Sequence, residues 1–484
     1  MDKGLLKERI DEMTILEMSE LMEKGELTSL ELVKVYLQRI AEYDKTGPKL
    51  NSVLEINPDA LFIAEALDLE RKHRGSRGIL HGIPILVKDN INTGDKMHTS
   101  AGSLALADLY APNDAFVVKK LREAGAVILG KANMTEFANF MAENMPSGYS
   151  SKGGQVINPY DKEKTPSGSS SGSAVSAAAN LCAAAVGTET DGSILSPSRE
   201  NCIVGLKPTV GLVSREGIVP ISHSQDTAGP MARTVTDAAI LLQAMAGVDE
   251  KDAATLKSRW YENKDYTAFL KDSNIGGLRI GISPAHYDRF TEEEEAVLQE
   301  AVDVLKGKGA EIVYIEDTYE KIPEERSSVL YHEFKNGINY YLSTVRGRTK
   351  MKNLEDIINF NKNNEEKALR FGQKVLEDSE LKSGTLTEED YIMGRLGDME
   401  SNGKNTLDRI MDDMKLDAIL FLEWTSIAAI AGYPSIIVPA GFTSKGTAEG
   451  ITFIGRPFSE ETLLRLAYVY EQATKRRKAP KLDI

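Results

Sequence analysis

Residues 166–193 read PSGSSSGSAVSAAANLCAAAVGTETDGS, two loops of glycine and serine separated by an alanine-rich apolar stretch at 174–186. Four readings of this text predict different neighbours. A phosphate-binding loop needs Gly-Lys-Ser/Thr after its glycines so that a lysine reaches the terminal phosphates, and no such lysine follows Gly172. A hydrolase elbow is formally met by Gly168-Ser-Ser-Ser-Gly172 with Ser170 as nucleophile. That elbow requires a buried strand directly before it, whereas the chain supplies Asn158-Pro-Tyr-Asp-Lys-Glu-Lys-Thr-Pro166. A flexible linker is the common meaning of Gly/Ser text, but apolar runs on both sides argue against it. In the fourth reading both loops line one active site, with serines as nucleophile and proton shuttle and glycines permitting close backbone approach to a reacting oxygen.

Upstream, residues 83–87 form an apolar run flanked by Gly82 and rich in β-branched residues, which predicts a buried strand ending at Lys88. The spacing of Phe116, Val117 and Leu121 with a stop at Gly125 predicts a helix over 114–124, and 127–129 a further short strand. Thr14 with Glu17 and Thr28 with Glu31 are capping boxes that open an N-terminal helical hairpin. Downstream, strand-like runs at 278–282, 312–315, 418–422, 435–438 and 451–454 alternate with helical patterns. The fold class expected is α/β: a large mixed, mostly parallel β-sheet covered by helices on both faces. The expected division is an N-terminal helical segment (1–59), a core (60–285), a charged, mainly helical peripheral region (286–413), and C-terminal strands and helix that complete the core (414–484).

The chain has 484 residues, 41% apolar and 27% charged, with a net charge of −15. That acidity argues against a nucleic-acid or anionic-membrane surface. The one basic cluster, Lys475, Arg476, Arg477 and Lys478, reads as a solvated tail. Two cysteines, Cys182 and Cys202, are too few for a disulfide framework or a four-ligand zinc site, so a reducing compartment is expected. The N-terminal residues 1–20 are charged and amphipathic, with no signal-peptide h-region and no spanning segment downstream. A cytoplasmic protein is expected.

With six histidines in the chain, and only His81 beside one of these segments, a lysine base becomes worth considering. At the end of a buried strand, apolar surroundings would lower the Lys88 pKa toward a value usable for proton abstraction. Composition alone favours a solvated lysine there. His223 and Asp226 suit a loop and read as polar packing, and Cys182 as a small buried hydrophobe.

Six blocks in this order carry a resemblance. They are Gly82-Ile-Pro-Ile-Leu-Val-Lys88-Asp89, Gly130-Lys-Ala-Asn133-Met, Gly168-Ser-Ser-Ser-Gly-Ser173, Gly187-Thr-Glu-Thr-Asp-Gly-Ser193-Ile, Gly205-Leu-Lys-Pro208 and Gly229-Pro-Met-Ala-Arg233. Together the sequence resembles the amidase signature family, nearest to its bacterial peptide amidases. The resemblance implies an amide hydrolase with Ser193 as nucleophile, Ser169, preceded by a cis peptide bond, as bridging serine and Lys88 as base. It further implies backbone N–H groups of Thr190, Asp191, Gly192 and Ser193 as an oxyanion hole, with Ser170 in support. The reaction implied passes through an acyl-enzyme and releases ammonia, from peptide C-terminal amides in that branch. No cofactor and no metal are expected. The expected partner is a small-molecule or peptide amide, with no nucleic acid and no membrane span, on a monomer or homodimer. Two alternatives share the blocks: the amidase subunit of a tRNA-dependent amidotransferase, and a non-catalytic protein that keeps the fold. Arg199, Glu200 and Cys202 replace residues that are small in the family, and the stretch 423–431 is shorter than in many relatives.

Overall fold

The structure is a computed structural model that describes residues 10–261, 264–283, 290–315 and 328–482. Residues 1–9 of the expected N-terminal segment lie outside the described residues. The two opening helices, Ile15–Glu23 and Ser29–Arg39, start at Thr14 and Thr28, and each has a reciprocal capping box. The Thr14 backbone N–H donates to Glu17 at 2.8 Å and the Glu17 N–H returns to Thr14 Oγ1 at 3.2 Å, satisfying donors that a helix start leaves unpaired.

Thirteen strands are described: β1 (Val53–Ile56), β2 (Pro84–Lys88), β3 (Val127–Ala132), β4 (Tyr149–Ser150), β5 (Gly154–Gln155), β6 (Ala184–Glu189), β7 (Val204–Lys207), β8 (Thr227–Ala232), β9 (Arg279–Ile282), β10 (Glu311–Tyr314), β11 (Ala418–Leu422), β12 (Ser435–Phe442) and β13 (Ala448–Ile454). Eleven of them form one mixed sheet in the order β1-β3-β2-β6-β8-β7-β12-β13-β11-β9-β10, and β4 and β5 pair apart from it. Its parallel pairings lie in two wings, β3-β2-β6 and β11-β9-β10. The strands between the wings pair antiparallel. Parallel neighbours need crossover helices, and helices cover both faces as expected. Along β8, Ala228 and Ala232 enter the main core while Met231 packs with Ala174, Ala177 and Ala178 of the opposite layer.

The alanine-rich stretch divides as its side chains allow. Residues Ser171–Ala178 form a short helix, buried throughout, and Ala184–Glu189 become β6, buried on both faces. Helices Val329–Thr344, Leu354–Asn363 and Lys374–Glu380 lie outside the sheet. Their apolar faces share a cluster with Val219 and Ile221, so the helical layer packs on the loop that follows β7.

The basic cluster is solvated at Lys475, Arg476 and Lys478, which are exposed, but not at Arg477. The Arg477 guanidinium, 12% exposed, clamps the Glu12 carboxylate through Nε and Nη2, each at 2.7 Å, and caps the carbonyls of Cys202 at 2.8 Å and Ala178 at 3.0 Å. A planar five-donor fork can serve several chain segments at once, which a local charge run does not reveal.

Candidate active site

Strands β2 and β6 run parallel in the register Val87↔Val186, which brings the end of β2 beside Gly187 and Thr188. Lys88 is fully buried there. Its Nζ lies 2.8 Å from Ser169 Oγ, 2.9 Å from Thr188 Oγ1 and 3.1 Å from the Thr188 carbonyl. Burial pushes the amine down from 10.5 to about 7, against the opposing pull of the Asp226 and Glu189 carboxylates. Desolvation disfavours the charged form, and among the described residues no carboxylate touches the amine to restore it. The solvated position that composition favours is therefore not the one observed.

The serine loop is tied down on every side. The Gly168–Ser169 peptide is cis, and the Ser169 carbonyl accepts the Thr135 N–H at 3.0 Å. Ser170 Oγ donates to the Thr188 carbonyl at 3.0 Å and accepts the Thr188 N–H at 3.2 Å. The Ser170 N–H donates to the Ser193 carbonyl at 3.2 Å, which joins the two loops. Glycine at 187 is dictated by proximity, since a Cβ there would lie 2.9 Å from Ser170 Oγ and 2.6 Å from the Met231 sulfur.

The second loop begins where β6 ends. Glu189 turns its buried carboxylate onto the N–H groups of Ile194 at 2.7 Å and Leu195 at 3.0 Å, capping the helix Leu195–Glu200. Thr190 Oγ1 donates to Asp226 at 2.5 Å, and the Thr190 carbonyl accepts from Gln225 at 3.1 Å. Gly192 takes a left-handed conformation, φ +81°, open to glycine at little cost. The backbone N–H groups of Thr190, Gly192 and Ser193 donate to no other group among the described residues.

Of the residues singled out from sequence, Lys88, Ser169, Ser170 and Ser193 come together. The contacts that join them are Lys88 to Ser169 by side chain, and Ser170 to Ser193 by backbone. Ser193 is the least enclosed of the four, at 7%, and its hydroxyl makes no hydrogen bond among the described residues. Sequence reading missed three parts. Asn90 Nδ2 donates to Thr188 Oγ1 at 3.0 Å. Asp226, read as polar packing, is half-buried and also accepts the N–H groups of Ile221 and Ser222 at 2.8 and 2.9 Å. Burial raises its carboxyl to about 6 despite these donors. Trp424 lies against Gly192.

A cavity of about 200 Å³ adjoins the site, lined by Asn90, Thr188, Thr190 and Asp226 on one wall and by Val219 and Tyr341 among others on the rest. None of Lys88, Ser169 and Ser193 lines it. It touches the groups that hold the site rather than the site itself. Among the described residues no helix is long and apolar enough to cross a membrane.

A buried low-pKa lysine on a serine, beside a second serine in a loop of undonated N–H groups, can activate a hydroxyl and stabilise an oxyanion. The family model described as Amidase matches residues 31–464. The chain is 43% identical to the peptide amidase of Stenotrophomonas maltophilia, over 98% of this chain and 99% of that one, with a TM-score of 0.91. It is 42% identical to a probable amidase of Arabidopsis thaliana, over 98% of this chain and 92% of the relative. It is 34% identical to a glutamyl-tRNA(Gln) amidotransferase subunit of Thermoanaerobacter pseudethanolicus, over 96% of each. The chain is an amidase and belongs to the amidase signature family.

Proposed function

We propose that the protein hydrolyses the C-terminal amides of peptides through a Ser193 acyl-enzyme, with Ser169 and Lys88 relaying the proton. The observation that carries the reading is the Lys88–Ser169 contact at 2.8 Å between two fully buried side chains, where desolvation lowers the amine to about 7. A neutral amine has two hydrogens for Thr188 O and Oγ1, and its lone pair then faces the Ser169 hydroxyl.

Ser193 Oγ attacks the amide carbon, a C–O bond forms and the carbonyl π pair moves to oxygen. The Ser193 proton passes to Ser169 as the Ser169 proton passes to Lys88, which becomes an ammonium. The oxyanion is held by the N–H groups of Thr190, Asp191, Gly192 and Ser193. Removing one such donor costs on the order of 3 kcal/mol in comparable sites, and Asp226, Gln225 and Glu189 keep the loop in place. When the C–N bond breaks, the relayed proton goes to nitrogen and ammonia leaves. Water then attacks the ester, its proton passing onto the same relay; as the C–O bond to Ser193 breaks the relay returns that proton to Ser193 Oγ, and the acid product leaves and ionises to the carboxylate.

The likeness to a peptide amidase at 43% identity supports the substrate class. The likeness to an amidotransferase subunit favours a second reading, in which the ammonia is passed to a partner chain. Ammonia release from peptide amides, fatty amides, aryl amides and glutamine by the purified chain, beside Ser193→Ala, tests both. Release from a peptide amide that the variant loses supports the first. Release only from glutamine, and only with partner chains present, overturns it.

A further inference from the structure

We propose that Trp424 is the specificity-determining wall of the acylation site and that Arg199 is the positioning residue that holds it there. The inference rests on the reading of Ser193 as nucleophile. A Cβ on Gly192 would lie 2.6 Å from two carbons of the Trp424 six-membered ring and 2.9 Å from a third. The indole therefore rests directly on the loop that carries the oxyanion donors. It is only half-buried.

Trp424 follows β11 by two residues, and the residue between, Glu423, has φ +56°. A non-glycine residue in the left-handed region persists where its surroundings over-determine it. One determinant is backbone: the Glu423 N–H donates to the Gly450 carbonyl at 2.9 Å and continues the pairing with β13 by one residue. The other is Arg199, on the helix that follows Ser193. Its guanidinium is 2.8 Å from Glu449 on β13, 3.2 Å from Glu200 and 3.7 Å from Glu423. That helix is itself joined to the contact, because the Ser196 N–H donates to the Gly192 carbonyl at 2.8 Å. One cation thus grips both sides of the Gly192–Trp424 contact. This accounts for charge at 199 and 200, where the resemblance leads one to expect small residues.

A flat aromatic wall at this place admits extended or small acyl groups and excludes bulky ones. Pocket walls of this kind discriminate by factors of roughly 10 to 200. Arg199 contacts none of the reacting atoms and acts through Trp424 alone.

The chain has two tryptophans, and Trp260 is 85% exposed, so Trp260→Phe leaves Trp424 as the sole indole reporter. In that background Arg199→Met should shift Trp424 emission to the red, and Arg199→Lys should restore part of the shift. Arg199→Met with Glu449→Gln, which neutralises the most buried of the carboxylates that Arg199 pairs, should show the same red shift in a chain that folds. Trp424→Ala should raise kcat/KM for 2-naphthamide relative to propionamide about tenfold, with Arg199→Met moving the ratio the same way by less. Emission unchanged in both Arg199 variants overturns the positioning role. A ratio unchanged in Trp424→Ala, while ammonia release still depends on Ser193, overturns the wall. The emission arm needs no catalysis, so failure of the Ser193 reading is seen separately.

Discussion

The Thr190 hydroxyl donates to the Asp226 carboxylate at 2.5 Å across 36 residues of chain. This bond pins the first residue of the proposed oxyanion loop to a carboxylate that also accepts two backbone N–H groups. The same charge is one of the two that hold the Lys88 amine up against desolvation.

Asp226→Asn should therefore act twice. The loop loses its strongest acceptor, and kcat should fall by roughly tenfold to a hundredfold with KM little changed, as for a group felt mainly in the transition state. Removing the negative charge lowers the Lys88 pKa further, so the acid limb of the kcat/KM profile should move to lower pH. Steady-state kinetics across pH measures both.

Lys88→Met should abolish turnover without destabilising the fold. The native amine ionises at about 7 against an ordinary 10.5, so below that ordinary value the unfolded chain binds the proton more tightly. Stability then rises with pH between about 7 and 10 on account of this group. The methionine variant lacks that dependence. It should equal or exceed the wild type in denaturant midpoint at neutral pH, with the difference shrinking as pH rises.

Gly192→Ala places a methyl group on the Trp424 ring and a side chain in a left-handed conformation. Overpacking of this kind costs about 1–3 kcal/mol, and activity should fall at least about a hundredfold as the donors turn away. Trp424→Ala in the same chain should recover part of the stability, measured by denaturant unfolding, because the clash partner is gone.

How far these residues are legible in the sequence depends on how local their signals are. Lys88 lies at the end of an apolar run, and the serines sit in Gly/Ser loops, so both are marked by their neighbours. The strand ending at Lys88 follows from continuous apolar text, whereas nothing in the alanine-rich stretch marks where its helix ends and β6 begins. Asp226 is different: its partner Thr190 lies in another loop, and nothing around either residue announces the pair. Trp424 meets Gly192 only because β13 seats the end of β11 against it, 232 residues away in the chain. Arg477 escapes a local reading for the same reason, since its partner Glu12 stands 465 residues away.

Arg477→Ala should cost about 1–3 kcal/mol of stability, because it leaves a part-exposed carboxylate and two carbonyls of buried residues without their donor. The catalytic groups are untouched, so kcat per folded molecule should hold. Urea unfolding beside kinetics at a temperature where the variant is fully folded separates the two.

The proton relay can be probed without any substrate, by the rate at which a fluorophosphonate labels the protein between about pH 5 and 9, with the adduct mapped by peptide mass. A single adduct is expected, on Ser193, formed half-maximally near pH 7 and slowed at least about a hundredfold by Lys88→Met and by Ser169→Ala. An adduct on Ser169 or Ser170 instead, or labelling of Ser193 that is indifferent to Lys88, would refute the relay.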